Sequence, residues 1–232
     1  MNAALILSGG CGKRFGSTVP KQYHLARWKM VIEYVIEAAE TATSIDTILI
    51  VASLPCDKLN RLKIRHKFEV TEGGERRNDS LKNGLDWLKS RGCDNVIVLD
   101  AVRPMVTGKL IDQYMHRLTD EGYDAVSTAQ VITDSLGCYD LHEVDRSRYY
   151  LMQSPEAYRF DLLYEHFDRD SKLTEVAQQL PRDSRVFLNF DFQNNIKLTY
   201  PWELSYIELA LRNRALEASG EEFLFPFFRV RW

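Results

Sequence analysis

The chain has 232 residues, of which 45% are hydrophobic, 11% aromatic and 27% charged, a globular composition that excludes disordered, collagenous and fibrous classes. Thirty Lys and Arg against 33 Asp and Glu leave a formal net charge of -3, which speaks against duplex nucleic acid as a partner, since such binders carry a basic excess. Four scattered cysteines (11, 56, 93 and 138) have no CxxC spacing, as expected of a reduced, cytoplasmic protein.

The N-terminal MNAALILSGG has no basic n-region and its apolar run stops at Ser8, so it predicts a strand and not a signal peptide. No apolar stretch approaches the roughly 18 residues of a membrane-spanning helix, so no membrane partner is expected. AALIL (3 to 7), TILIVA (47 to 52), NVIVL (95 to 99) and DAVST (124 to 128) read as buried strands rich in Val, Ile and Leu. Between them, Met30, Val31, Tyr34, Val35, Ala38 and Ala39 share one face of a helix over 29 to 42. Leu81, Leu85 and Leu88 do so over 79 to 90 before Gly92, and a third helix spans about 108 to 120. This alternation predicts an α/β fold, a doubly wound and mostly parallel sheet with ligands at the carboxyl ends of its strands.

From 129 to 151 the pattern breaks. Short β-like runs around Gly137 and a charged tip from Glu143 to Arg148 predict a hairpin arm leaving the main sheet. A helical stretch follows, then strands at 185 to 190 and 195 to 199, then a helix opened by Pro201 and running to about 217. The aromatic tail FLFPFFRVRW is expected to pack on the body or on a partner subunit. Residues 1 to 232 read as a single domain carrying the arm.

Four segments carry chemistry. SGGCGKRFGSTVPKQ (8 to 22) combines glycines, which let backbone amides approach a phosphate, with Lys13, Arg14 and Lys21. Neither a GxGxxG fingerprint nor a Gly-Lys-Ser/Thr loop is present, which disfavours two common nucleotide folds. TEGGERRNDSLKNGL (71 to 85), placed after a third strand, opens a helix. In it Gly73-Gly74 makes a tight turn, Glu75 can accept from an exocyclic amine, and Ser80 lies in the first helical turn. LDAVRP (99 to 104) ends the fourth strand, where Asp100 would face the basic loop and suit Mg²⁺, and Arg103 could bind a second anion. NNIKLTYPWEL (194 to 204) carries Lys197, which could equally be a solvated edge residue. No HExxH and no GxSxG is present, so zinc and serine hydrolases lack support.

Taken in order, the glycine loop with RxGxxxPKQ, then GGxxRxxS, DAxRP, a TPQ-like Ser154-Pro155-Glu156 and NIKxT resemble the polyol-phosphate cytidylyltransferases, the family of the 2-C-methyl-D-erythritol 4-phosphate and ribitol-5-phosphate enzymes. The resemblance implies a CTP-dependent, Mg²⁺-using homodimer that transfers CMP to a polyol phosphate and releases pyrophosphate, its β-arm reaching the neighbouring subunit. It places Arg14, Lys21 and Lys197 as catalytic cations and Ser8, Gly9, Gly10 and Gly12 around the triphosphate. Gly74, Glu75 and Ser80 fall on cytosine and ribose, Asp100 on Mg²⁺, and Arg103, Ser135, Arg146 and Ser154 on the acceptor. Departures from the pattern are Leu99 for its histidine, Glu156 for glutamine, Thr174-Glu175-Val176 for Thr-Asp-Glu, and Asn194 for an acid before NIK. Asn194 removes a possible second metal carboxylate, and Ser154 with Glu156 leaves the acceptor open between an isoprenoid precursor and a polyol for a surface polymer. A sugar-1-phosphate nucleotidyltransferase and a nucleotide-binding subunit without catalysis are the other readings.

Overall fold

The two-residue period of a strand divides the first apolar run between two cores. In the computed structural model, which describes residues 1–10, 13–140, 142–173 and 175–219 and the backbone alone of Lys13, that run is β1 (Asn2–Ser8). The chain continues through a two-residue ladder of β2 (Leu25–Ala26) and β3 (Lys29–Met30), then α1 (Val31–Thr41), β4 (Thr47–Ala52) and α2 (Asp57–Leu62). Next come β5 (Glu69–Glu72), α3 (Arg77–Lys89), β6 (Asn95–Asp100), α4 (Gly108–Thr119) and β7 (Ala125–Val131). The order closes with β8 (Tyr150–Arg159), α5 (Phe160–His166), β9 (Val186–Asn189) and α6 (Glu203–Ser219).

Seven strands make one sheet in the order β5-β4-β1-β6-β8-β7-β9. All neighbours are parallel except β8, which runs antiparallel to both β6 and β7. On one face Ala4 and Ile6 pack with Ile32 and Ile36 of α1, Leu62 of α2 and Ile111 of α4. On the other, Ala3 and Leu5 pack with Leu81, Leu85 and Leu88 of α3 and Phe160 of α5. A third cluster joins Phe15, Val102 and Leu198 to Ile207 and Leu211 of α6. From β1 the chain builds outward through β4 and β5, then crosses back to β6 on the opposite side of β1. Between β1 and β6 lies the point where strand order reverses, the crevice where open α/β sheets bind ligands.

Helix α3 lies unusually close to the sheet at Gly84, where a Cβ would sit 2.5 Å from Leu5 Cδ1 and 2.9 Å from Val51 Cγ2. Overpacking of this kind costs about 1–3 kcal/mol, and each kcal/mol moves the midpoint of a domain this size by roughly 2–4 °C. Gly84→Val is therefore expected to lower the melting temperature by roughly 2–12 °C. An unchanged thermal midpoint would mean the contact is looser than described.

Several expectations need correction. The segment 195 to 199 is extended but forms no strand. Leu198 donates its N–H to the Val102 carbonyl at 2.9 Å and buries its side chain against α6, so the alternation records a strap and not a ladder. Residues 129 to 131 continue β7 and pair with β8, Val131 opposite Tyr150. The arm's stem is therefore a short two-stranded continuation of β7 and β8 that runs past the rest of the sheet, since β9 pairs only with 125 to 128 and β6 only with 156 to 159. Among the described residues from 132 to 149 the chain forms one 3-10 turn (Arg146–Arg148) and no strand, and Tyr139 is fully exposed. The last helix begins at Glu203, whose carboxylate accepts the Tyr200 N–H at 2.8 Å, so Pro201 lies in the turn before it. The aromatic tail lies outside the described residues.

Candidate active site

Parallel register brings the site together. Leu7 of β1 pairs with Asp100 of β6, and Ser8 with Ala52 of β4, so three strands end side by side. From Ser8 the chain enters the glycine loop, anchored on its far side by buried Phe15 and Tyr23. Gln22 reaches back, donating Nε2–H to the Ser8 carbonyl at 2.7 Å, and so sets the Lys21 turn over the end of β1.

A second loop arrives from β5. Gly73 N–H donates to the Ala52 carbonyl at 2.8 Å, and Gly74 N–H donates to Ser80 Oγ at 3.0 Å. A Cβ on Gly9 would stand 3.2 Å, and one on Gly73 3.1 Å, from the same Ser80 oxygen, and a Cβ on Gly74 only 2.2 Å from Asp79 Cβ. One buried hydroxyl therefore holds the Gly74 turn by a hydrogen bond and stands close against Gly9, and both turns need glycine for that approach. Forcing this turn apart stores strain of order 1–3 kcal/mol, so Gly74→Ala is expected to weaken nucleotide binding about tenfold or more and to lower the melting temperature by roughly 2–12 °C. Isothermal titration checks it; unaltered affinity would separate this turn from the nucleotide.

Asp100 is buried at the end of β6. Lys197 Nζ lies 2.9 Å and Arg103 Nε 3.5 Å from its Oδ2, and its backbone N–H donates to Ser154 Oγ at 2.8 Å. Burial opposes ionisation, but Lys197, Arg77 and Arg103 outweigh it and hold this carboxyl well below the ordinary range. Lys21 is shifted down by burial first, then by repulsion from Lys197 and Arg14, with Asp100 opposing. Beneath them, Arg103 donates to the Asn195 carbonyl at 2.7 Å, and Asn195 Nδ2 to the Ser154 carbonyl at 2.7 Å. Glu156 is buried against Tyr158, whose hydroxyl donates to it, and 3.4 Å from Arg77. Burial raises its pKa in spite of Arg77.

A cavity of about 170 Å³ results, lined by Ser8, Gly9, Gly10, Lys21, Gly74, Glu75, Ser80, Asp100 and Lys197, all expected from the sequence, with Gln22, Arg76 and Arg77 in addition. Arg77, the arginine of GGxxRxxS, had its signal in that motif. Arg14 stands beside the cavity, its guanidinium 6.0 Å from the Tyr200 ring centroid. Arg103 and Ser154 do not line the cavity: Arg103 faces the Asp100 carboxylate and the Asn195 carbonyl, and Ser154 accepts the Asp100 N–H. Ser135 and Arg146 sit on the arm, where Arg146 donates to the Thr133 and Asp134 carbonyls and does not reach the cavity of its own chain. Gly12 lies outside the described residues. Of the departures, Leu99 is core, Asn194 is exposed and Glu156 is held as above.

A mostly parallel α/β sheet whose switch point holds two glycine turns, several cations and one buried carboxylate is the framework of a nucleotidyltransferase. The profile of the family described as 2-C-methyl-D-erythritol 4-phosphate cytidylyltransferase matches residues 2–213, and the chain belongs to that family. It is an enzyme, a cytidylyltransferase that uses CTP and a phosphorylated substrate. A protein of that name from Thermotoga neapolitana is 33% identical over 189 residues, 78% of this chain and 83% of its own length. Another from Lachnoclostridium phytofermentans is 29% identical, covering 90% of this chain and 95% of its own length. The crystal structure of 4-diphosphocytidyl-2C-methyl-D-erythritol synthase from Anaerococcus prevotii superposes with a TM-score of 0.77 at 22% identity, covering 91% of this chain and 96% of that one. Among the described residues no helix is long and apolar enough to cross a membrane.

Proposed function

We propose that this cytidylyltransferase takes 2-C-methyl-D-erythritol 4-phosphate as its acceptor, with Mg²⁺, in a homodimer whose arms complete the sites. The convergence of Lys21 and Lys197 beside Asp100, facing the Gly74 to Ser80 turn across one cavity, carries the catalytic part of this reading. The acceptor rests on the names of the relatives. An acceptor phosphate oxygen attacks the α-phosphorus of CTP in line; the new P–O bond forms as the bond to pyrophosphate breaks, and pyrophosphate leaves with that electron pair. Lys21, Lys197 and Arg14 hold two mutually repelling anions together and neutralise charge on the α-phosphate and the leaving group. The donor set fits Mg²⁺: Lys197 and Arg103 approach Asp100 at Oδ2, and a carboxylate beside the phosphate cradle suits a hard cation that prefers one or two carboxylates plus phosphate oxygens. Mg²⁺ held there would add charge neutralisation on the phosphates.

Pyrophosphate release, measured for each ribonucleoside triphosphate against 2-C-methyl-D-erythritol 4-phosphate and ribitol 5-phosphate, tests the reading. CTP with the first acceptor is expected to turn over fastest. Faster turnover with ribitol 5-phosphate would overturn the acceptor, and a preference for UTP the base. For the arm, exposed Val131, Tyr149 and Leu151 at its root support a covering partner, since a lone hairpin is marginal in water. In a two-fold dimer Arg146 of one protomer can meet an acceptor phosphate bound over the other. Arg146→Ala is expected to raise the KM for acceptor much more than that for CTP. Mixed with a Lys21→Ala chain it should recover turnover, because one site of the heterodimer then carries neither defect. A monomer in sedimentation at micromolar concentration would remove the shared site.

A further inference from the structure

The arm carries a second group of chemistry-bearing side chains that the transfer reaction does not use. Cys138, Asp140 and His142 stand two residues apart around a turn at Tyr139 and Asp140, and one ligand atom from each lies within 4.8 Å of the other two. His142 Nδ1 is 2.6 Å from Asp140 Oδ1. Tyr139 is fully exposed while a thiol, a carboxylate and an imidazole on either side of it gather within 4.8 Å of one another. None of the three lines the CTP cavity.

We propose that Cys138, Asp140 and His142 bind one Zn²⁺ ion per chain at the tip of the arm. Sulfur, nitrogen and oxygen together select a borderline cation over Mg²⁺ or Ca²⁺, which take oxygen alone. Zn–S and Zn–N bonds of about 2.3 and 2.0 Å in a tetrahedron require donor separations of roughly 3.3–3.8 Å, so the most distant donors must draw in by up to about an ångström while His142 Nδ1 and Asp140 Oδ1 open from 2.6 Å. Among the described residues of the tip no strand pairing resists this. On binding, the thiol proton passes to solvent, the thiolate and carboxylate coordinate, and the imidazole coordinates through Nδ1 with its hydrogen on Nε2. Water completes the fourth position. The ion would fasten a stretch in which the described residues between 132 and 149 form no ladder.

Cobalt(II) titration of the whole protein, with Mg²⁺ in excess to occupy oxygen sites such as Asp100, gives a direct readout. One equivalent of Co²⁺ per chain is expected to produce the near-ultraviolet thiolate-to-cobalt band and the visible bands of tetrahedral coordination, both erased by Zn²⁺. Cys138→Ser should abolish the near-ultraviolet band and His142→Ala should weaken Co²⁺ binding at least tenfold, whereas Cys11→Ser and Cys56→Ser should retain both. Trypsin cleavage after Arg146 and Arg148 should slow several-fold with Zn²⁺ in the parent protein and not in Cys138→Ser. Absence of the thiolate band from the parent protein, its survival in Cys138→Ser, or its loss in Cys56→Ser would overturn the site. Half an equivalent per chain would overturn it as a single-chain site.

Discussion

Lys21→Ala is expected to lower turnover of CTP by on the order of 10²- to 10³-fold, the usual effect of removing one preorganised charge from a site where negative charge develops, while the melting temperature holds or rises. The second half of this outcome follows from the neighbours. No carboxylate lies within ion-pair distance of Lys21 among the described residues, and burial together with Lys197 and Arg14 pushes its pKa down. A base whose pKa is lower in the folded than in the unfolded state holds fewer protons when folded, so its charge costs stability and that cost fades as pH rises. The native protein carries it for function, and alanine relieves it. Lys197→Ala should match the loss of turnover, with a drop of about 1 kcal/mol or less in stability because its pair with Asp100 is 39% exposed on the lysine side. Steady-state kinetics beside thermal melts separate the two effects. Near-native turnover in Lys21→Ala, or a large loss of its melting temperature, would show the lysine to be structural.

The strands that meet at this site were legible because both of their faces are buried: β1, β4 and β6 read as unbroken apolar runs, and their carboxyl ends carry the glycine loop and Asp100. Strand β8 was not, since its middle is Gln153, Ser154, Pro155 and Glu156. Those residues look like a loop until the polar partners are seen: Ser154 caps the Asp100 N–H, Asn195 bonds Gln153, and Tyr158 bonds Glu156. Burial of polar groups is tolerated there because each is hydrogen-bonded, and that information is tertiary. Edge strand β5, EVTE, reads as polar for a simpler reason: Glu69 and Glu72 are exposed. Lys197 shows the reverse case, a residue of ordinary strand pattern placed by the burial of Leu198 beside it. The arm's role stays a proposal because a single chain contains neither the partner surface nor the anion that Arg146 would meet.

Asp100→Asn keeps the side chain's shape and removes the charge that three cations face. In the unliganded protein Arg103, 7% exposed, and Lys197 lose their counter-ion, and Arg77 loses part of its own. Breaking a buried pair from one side costs about 3–5 kcal/mol, and solvent at Lys197 and Arg77 puts this case at the low end. A fall in melting temperature of roughly 6–12 °C at neutral pH is therefore expected. The pH dependence carries the signature of this particular carboxyl. Its folded pKa lies far below the roughly 3.9 of an unfolded aspartate, so its contribution is complete above that value and is lost as pH falls toward the folded pKa. The gap between parent and variant should be constant above about pH 5 and close progressively below pH 4. If Asp100 also holds the metal, the Mg²⁺ concentration for half-maximal turnover should rise tenfold or more in the variant. A variant that loses stability with an unchanged Mg²⁺ dependence would make Asp100 a counter-ion for Lys197 and Arg103 alone, and would move the metal onto the phosphates of CTP.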